Sequence, residues 1–223
     1  MLSRFLYYIL EWPRWPYYFI VFTGVVIGGI RYKMLNKSSR VFFLLLLLTL
    51  SNEFVAFYCA KVFRTNVVAY NAFTILQFSL ISTAYYLETK SKIIFIAGAI
   101  FLSFILCTEL FGISLLKVFN KNLLLLDYLF VIIFVMLFFT DYFKKIDDLP
   151  IHKFSISWIG FGLLLFCVVA IFSFGFDFVN SKNPNWKKFS FYCRWFSNYL
   201  FYLSFIPAFL SPQKSLNDPA AGK

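Results

Sequence analysis

The residues able to do chemistry in this chain sit inside long apolar runs. They are Asn52-Glu53, Asn71 with Thr74 and Gln77, Glu109, Asp127, and Arg194 with Asn198. A carboxylate accepts hydrogen bonds or balances a cation, a guanidinium donates to carboxylate or phosphate, and amides do both. In hydrocarbon such groups are costly, by roughly 2.5–3.5 kcal/mol per charge on insertion scales. They are expected only where they are paired, hydrated or in use. Three chemistries are open to this set: holding a small polar ligand, passing protons through a titrating carboxylate during transport, or acid–base catalysis by two converging carboxylates.

Other chemistries lack their residues. The single histidine, His152, follows Pro150 in a connection and reads as a solvated group. Neither H-E-x-x-H nor G-x-S-x-G occurs. The seventh apolar run carries no lysine at a retinal-linking depth. Cys59, Cys107, Cys167 and Cys193 have no C-x-x-C spacing and read as small packing residues, although a Cys59–Cys193 bridge is open. No metal and no cofactor are expected.

The elements that must position these groups are set by composition. Of 223 residues, 61% are apolar and 14% charged, with a mean hydropathy of +0.77. A soluble domain is about 45–50% apolar and about 25% charged. Both values depart in the direction of an integral membrane protein. About 20 mostly apolar residues cross the hydrocarbon as a helix. Runs of that kind predict seven spans, at about 15–30, 41–60, 67–87, 93–112, 122–140, 154–175 and 189–209. Segments such as FVIIFVMLFF do not alternate, which excludes a transmembrane barrel. The expected fold is an all-α polytopic bundle of one domain over 1–210, with a polar, disordered tail at 211–223.

The first residues do not read as a signal peptide, because Glu11-Trp12-Pro13-Arg14-Trp15-Pro16 interrupts the apolar stretch and no A-x-A follows. Residues 2–10 are expected to lie in the interface. Pro16 suits a helix's first turn, and Trp12, Trp15, Tyr17 and Tyr18 suit an aromatic belt. Gly28-Gly29 and Gly160/Gly162 read as close helix packing.

Four cations follow the first span (Arg31, Lys33, Lys37, Arg40) and two precede it (Arg4, Arg14). By the positive-inside rule the N-terminus is outside and the C-terminus cytoplasmic. The net charge of +11 then meets anionic headgroups. No folded soluble module carries a basic patch, so nucleic acid is not an expected partner.

Counting from the predicted helix ends places Glu53 about 10 Å inside the N-terminal face, Asn71 about 6 Å, Glu109 about 5 Å, and Asp127 and Arg194 about 8 Å each. All fall in the same half of the bilayer. Ser190, Arg194, Ser197 and Asn198 share one helical face. This predicts a polar cavity among spans two, three, four, five and seven, open to the N-terminal side. Three carboxylates there would face one guanidinium, which favours a cationic or zwitterionic ligand unless one carboxyl holds a proton. Asp127 and Arg194 could instead form a structural pair, and Glu109 could reach headgroups.

Asn52-Glu53, Tyr70-Asn71 and Tyr85-Tyr86-Leu87-Glu88, in a chain rich in Phe, Lys, Asn, Ile and Tyr, resemble small seven-helix inner-membrane proteins of bacteria with AT-rich genomes. The resemblance covers the second and third spans. It implies a bacterial inner membrane and brings no catalytic residues.

The expected function is that of a receptor-like or accessory membrane protein, not an enzyme. Its outward cavity would bind a small polar ligand, and a separate membrane protein would be its partner. A proton-coupled transporter of small solutes and an intramembrane enzyme using carboxylates are the alternatives.

Overall fold

Apolar residues recur on every side of the long segments. A helix satisfies its own backbone hydrogen bonds, which a segment in hydrocarbon requires. In the computed structural model, which describes residues 14–110, 121–145, 150–179 and 184–214, those segments are helical. They are α1 (Arg14–Ile30), α2 (Lys37–Phe63), α3 (Val67–Thr89), α4 (Lys92–Leu110), α5 (Lys121–Lys145), α6 (Ser155–Val179) and α7 (Pro184–Leu203), followed by a short α8 (Phe205–Leu210). Among the described residues there is no strand, only an isolated bridge between Phe154 and Gln213. The protein is all-α.

Four helical stretches are long and apolar enough to cross a membrane: Lys37–Phe63, Val67–Thr89, Asn122–Lys144 and Ser155–Phe176. Trp15–Ile30 and Lys92–Cys107 are apolar but shorter. The α7 helix belongs to neither group, since Lys187, Lys188, Arg194 and Asn198 dilute its apolar content. Large apolar side chains point outward along the helices, among them Phe22 (58% exposed), Phe54 (70%), Phe95 (62%) and Phe172 (66%). Monomeric soluble proteins rarely expose so much contiguous apolar surface, whereas acyl chains cover it without cost.

Local signals set several helix ends. Asn36 caps α2, its side chain accepting from the Ser39 N–H at 2.8 Å. Arg64 and Lys90 end α2 and α3 in the left-handed conformation, with φ of 57° and 56°. The predicted seventh span, 189–209, is divided at Ser204. Pro207 has no N–H for the Leu203 carbonyl, and its ring crowds that carbonyl, so the helix breaks there.

The helices α1, α2, α3, α5, α6 and α7 each pack on the next, and α7 returns to α1, closing a ring of six. The α4 helix lies outside it, against α3 and α5. One end of the ring is filled by buried aromatics: Phe42 meets Tyr85 and Phe205 edge to face at 5.9 and 6.1 Å, and Phe134, Phe138 and Phe154 are fully buried. Glycines permit the closest approaches. A Cβ on Gly28 would lie 2.5 Å from Phe43 and 2.8 Å from Phe209, and one on Gly162 would lie 2.5 Å from Ser204 Oγ.

Residues 211–214 of the expected tail contact the bundle. Gln213 Nε2 donates to the Ala208 carbonyl at 3.0 Å, and Asn36 Nδ2 donates to the Lys214 carbonyl at 3.2 Å, so 211–214 are held against the bundle. Arg31 Nη1 donates to the Leu210 carbonyl at 2.7 Å at the end of α8. Residues 2–10, expected in the interface, residues 111–112 of the fourth span, and tail residues 215–223 lie outside the described residues.

Candidate functional site

Opposite the aromatic plug, the ring encloses a cavity of about 200 Å³. Its polar wall comes mainly from the C-terminal half of α2 and the N-terminal half of α3. Thr49, Asn52 and Glu53 are spaced for one side of α2, at i, i+3 and i+4. Tyr70, Thr74 and Gln77 do the same on α3. The remaining wall is Tyr17 from α1, Phe73 from α3, Leu124 and Tyr128 from α5, Phe166 from α6, and Asn198, Phe201 and Tyr202 from α7.

Glu53 is held from the first helix. Tyr17 OH donates to Glu53 Oε1 at 3.4 Å, and Tyr18 OH donates to Oε2 at 3.3 Å. Tyr17 and Tyr202 meet edge to face with centroids 5.3 Å apart, and the Tyr202 hydroxyl lies 3.4 Å from Thr49 Oγ1. One side of the cavity is thus a continuous set of hydroxyls ending on a carboxylate. Tyr17 and Tyr18, read from the sequence as belt residues, instead fix the carboxylate. Nothing local reveals this, because the contacts span 36 and 35 residues.

A second cavity of about 260 Å³ shares Leu124, Tyr128, Phe166 and Asn198 with the first. Arg194 lines it, one turn before Asn198 on α7. Its guanidinium donates to Ser190 Oγ at 2.9 Å and sits over the Phe174 ring at 5.2 Å. The sequence-derived face Ser190–Arg194–Asn198 therefore does face inward.

Of the eight residues singled out from the sequence, Asn52, Glu53, Gln77 and Asn198 line one cavity, and Arg194 joins them through the second. Asn71 is buried, at 3% exposure, but lines neither. Glu109 lies in the last turn of α4, and its side chain is outside the described residues. The expected set of helices also changes. The cavity draws on α1 and α6 and, among the described residues, on nothing from α4, because α4 packs outside the ring.

Asp127 is fully buried on α5, and neither carboxyl oxygen has a hydrogen-bond partner among the described residues. The Asp127–Arg194 pair weighed from the sequence is therefore not formed. Tyr128 and Cys167 are among its electrostatic neighbours. It does not line either cavity, so Glu53 is the sole carboxylate on the walls among the described residues. All four cysteines are free, and the Cys59–Cys193 bridge is not formed.

A polar cluster at the plugged end escaped the sequence. Glu88, the residue just past the predicted third span (67–87), is 1% exposed. Ser38 Oγ donates to its Oε1, and Ser39 Oγ lies 2.8 Å from Ser155 Oγ, which ties α2 to α3 and to α6. The only local hint is the Asn36–Ser39 cap, since Ser38 and Glu88 are 50 residues apart. No group of three or more His, Cys, Asp or Glu side chains forms a metal cage among the described residues.

Fold and site together define an all-helical protein with four helices of membrane-crossing length around an internal cavity that has one carboxylate on its wall. Comparison with protein-family models, curated proteins and solved structures finds no match to this chain.

Proposed function

We propose that the protein is a seven-span membrane receptor or accessory subunit. It sits in a bacterial inner membrane with its N-terminus outside, and its cavity binds a small polar ligand. The observation that carries this reading is the cavity itself. Six helices converge on it, its polar side chains come from five of them, and the far end of the ring is packed with Phe42, Tyr85, Phe134, Phe138 and Phe154. Its volume is below the ~300–1,000 Å³ of pockets for drug-sized ligands, so the occupant is small. A ligand touching α2, α3 and α7 at once biases their packing, and that is how occupancy would reach a partner in the membrane. Anionic headgroups against the cytoplasmic loops follow from the same orientation.

A proton-coupled carrier needs a polar path through the plugged end as well, and there Ser38 is bonded to Glu88 and Ser39 to Ser155 among packed aromatic rings. A two-carboxylate enzyme needs a second acid beside Glu53 on the cavity wall. Purified protein in liposomes, screened for thermal stabilisation by small polar compounds and for uptake under an imposed proton gradient, separates these readings. Stabilisation without uptake, lost in Glu53→Gln, is expected. Uptake abolished by Glu53→Gln would replace the receptor with a carrier.

A further inference from the structure

Outside the ring, α3 and α4 leave a groove of about 450 Å³ between them. The two helices leave the turn at Lys90–Ser91, and the groove follows them from Tyr86 to Ile75 on one side and from Ile94 to Ile105 on the other. Phe78 and Phe101 stack at its floor with centroids 3.9 Å apart. Gly98 keeps it open, since no atom lies within 4 Å of where its Cβ would stand.

The walls call for hydrocarbon. Ser79, Ser82 and Thr83 line the groove, but each hydroxyl donates to a carbonyl one turn back on its own helix, at 2.7–2.9 Å. Their hydrogens are committed, and a polar ligand gains little there. From Tyr86 to Ile75 the groove covers about 16 Å of helix axis. That is half of the ~30 Å hydrocarbon core, the depth of one acyl chain in one leaflet. A crossing helix of a partner needs the full thickness and finds only half of it matched.

The turn end adds charge. Lys90 Nζ lies 5.1 Å from the centroid of Tyr86, a groove-lining ring that meets Phe95 edge to face at 4.7 Å. The Lys90 backbone is fixed, its N–H donating to the Tyr86 carbonyl at 2.9 Å. Lys92 is exposed two residues on. Among the described residues neither ammonium forms an ion pair. Glu88, two residues before Lys90, is buried and bonded to Ser38 on α2. A lipid with its chain in the groove would therefore put its headgroup beside two lysines, and basic pockets between membrane helices hold anionic headgroups.

We infer that the α3–α4 groove binds an anionic glycerophospholipid, one acyl chain lying along Phe78, Gly98 and Phe101 and the phosphate held by Lys90 and Lys92. The groove shares no residue with the ring cavity, so this inference and the reading of that cavity stand or fall separately.

The test titrates the full chain, in a neutral detergent, with phosphatidylglycerol and with phosphatidylcholine of the same acyl chains, and native mass spectrometry reads the first bound lipid. Phosphatidylglycerol is expected to bind about fivefold tighter or more, the scale of one lysine's attraction to an anionic headgroup. Lys90→Gln with Lys92→Gln should remove that preference and leave phosphatidylcholine unchanged. Lys33→Gln with Lys37→Gln, exposed cations on the α1–α2 side of the same end, should retain it. Gly98→Phe fills the groove at an open position and should weaken both lipids by about fivefold or more through lost apolar burial. It also keeps the question answerable if the lysine variant does not fold. Equal binding of the two lipids, or a control pair that lowers the preference as much as Lys90 and Lys92 do, would mean diffuse surface charge and overturns the inference. So does a Gly98→Phe variant that binds both lipids as the parent does. A dimer in the same spectra that Gly98→Phe dissolves would replace the lipid with a second copy of the chain.

Discussion

Asp127→Ala should stabilise the protein, although it removes a charged residue type from the centre of a helix bundle. The reason lies in what surrounds the carboxyl: it is fully buried and both oxygens lack hydrogen-bond partners among the described residues. Each buried acceptor left unmade costs about 1–3 kcal/mol relative to water. Alanine removes both acceptors and raises helix propensity by up to about 0.7 kcal/mol. Against this stands the void a carboxyl leaves, which at about 24 cal/mol per Å³ costs back on the order of 0.5–1 kcal/mol. The net gain is about 1–6 kcal/mol. Unfolding in mixed detergent–SDS micelles, followed by circular dichroism, measures it. Asp127→Asn retains polar atoms of the same shape and should stay within about 1 kcal/mol of the parent. A loss of more than about 1 kcal/mol in Asp127→Ala would refute the reasoning, because it would mean that the carboxyl has a partner whose bond was broken. Binding in either cavity should be unaffected, since Asp127 lines neither.

Other expectations rest on separate contacts. Gly162→Ala should cost about 1–3 kcal/mol in the same unfolding assay, because the new Cβ would lie 2.5 Å from Ser204 Oγ and 3.3 Å from the Phe201 backbone. Gly98→Ala, with nothing within 4 Å of its Cβ, should instead gain about 0.5–1 kcal/mol, and equal effects at the two sites would discredit the packing of α6 on α7. Ser38→Ala removes a donor from buried Glu88 and should destabilise by about 1–3 kcal/mol; a neutral result would deny the link between α2 and α3. Tyr17→Phe with Tyr18→Phe removes both hydroxyls that donate to Glu53 and should weaken the thermal stabilisation by small polar compounds as Glu53→Gln does, and an unchanged response would mean that the tyrosines merely support the wall.

Much of the candidate site was legible in the sequence. Asn52, Glu53, Gln77 and Asn198 are polar residues in apolar helices, and helical periodicity alone puts Thr74 with Gln77 and Arg194 with Asn198. The aromatic wall was not legible, because a Tyr or Phe in a membrane helix reads equally as lipid-facing, interfacial or buried. Tyr17 shows this: it looks like a belt residue, yet it is 4% exposed and donates to Glu53. Glu88 shows the converse error. A charge at a predicted helix end looks hydrated, but Ser38, far away in sequence, closes over it.

The sequence by itself determined that the chain is helical and apolar, where most helices begin and end, and which polar residues are too deep to be casual. Composition and periodicity are local properties, and they need no knowledge of neighbours. Tertiary structure decided who stands beside whom: α4 outside the ring, α1 and α6 inside it, Arg194 in a second cavity, and Asp127 buried with no hydrogen-bond partner among the described residues. Those outcomes depend on which helix faces fit together. In a bundle whose helices are apolar all round, small steric differences such as Gly28 against Phe43 and Gly162 against Ser204 make that choice.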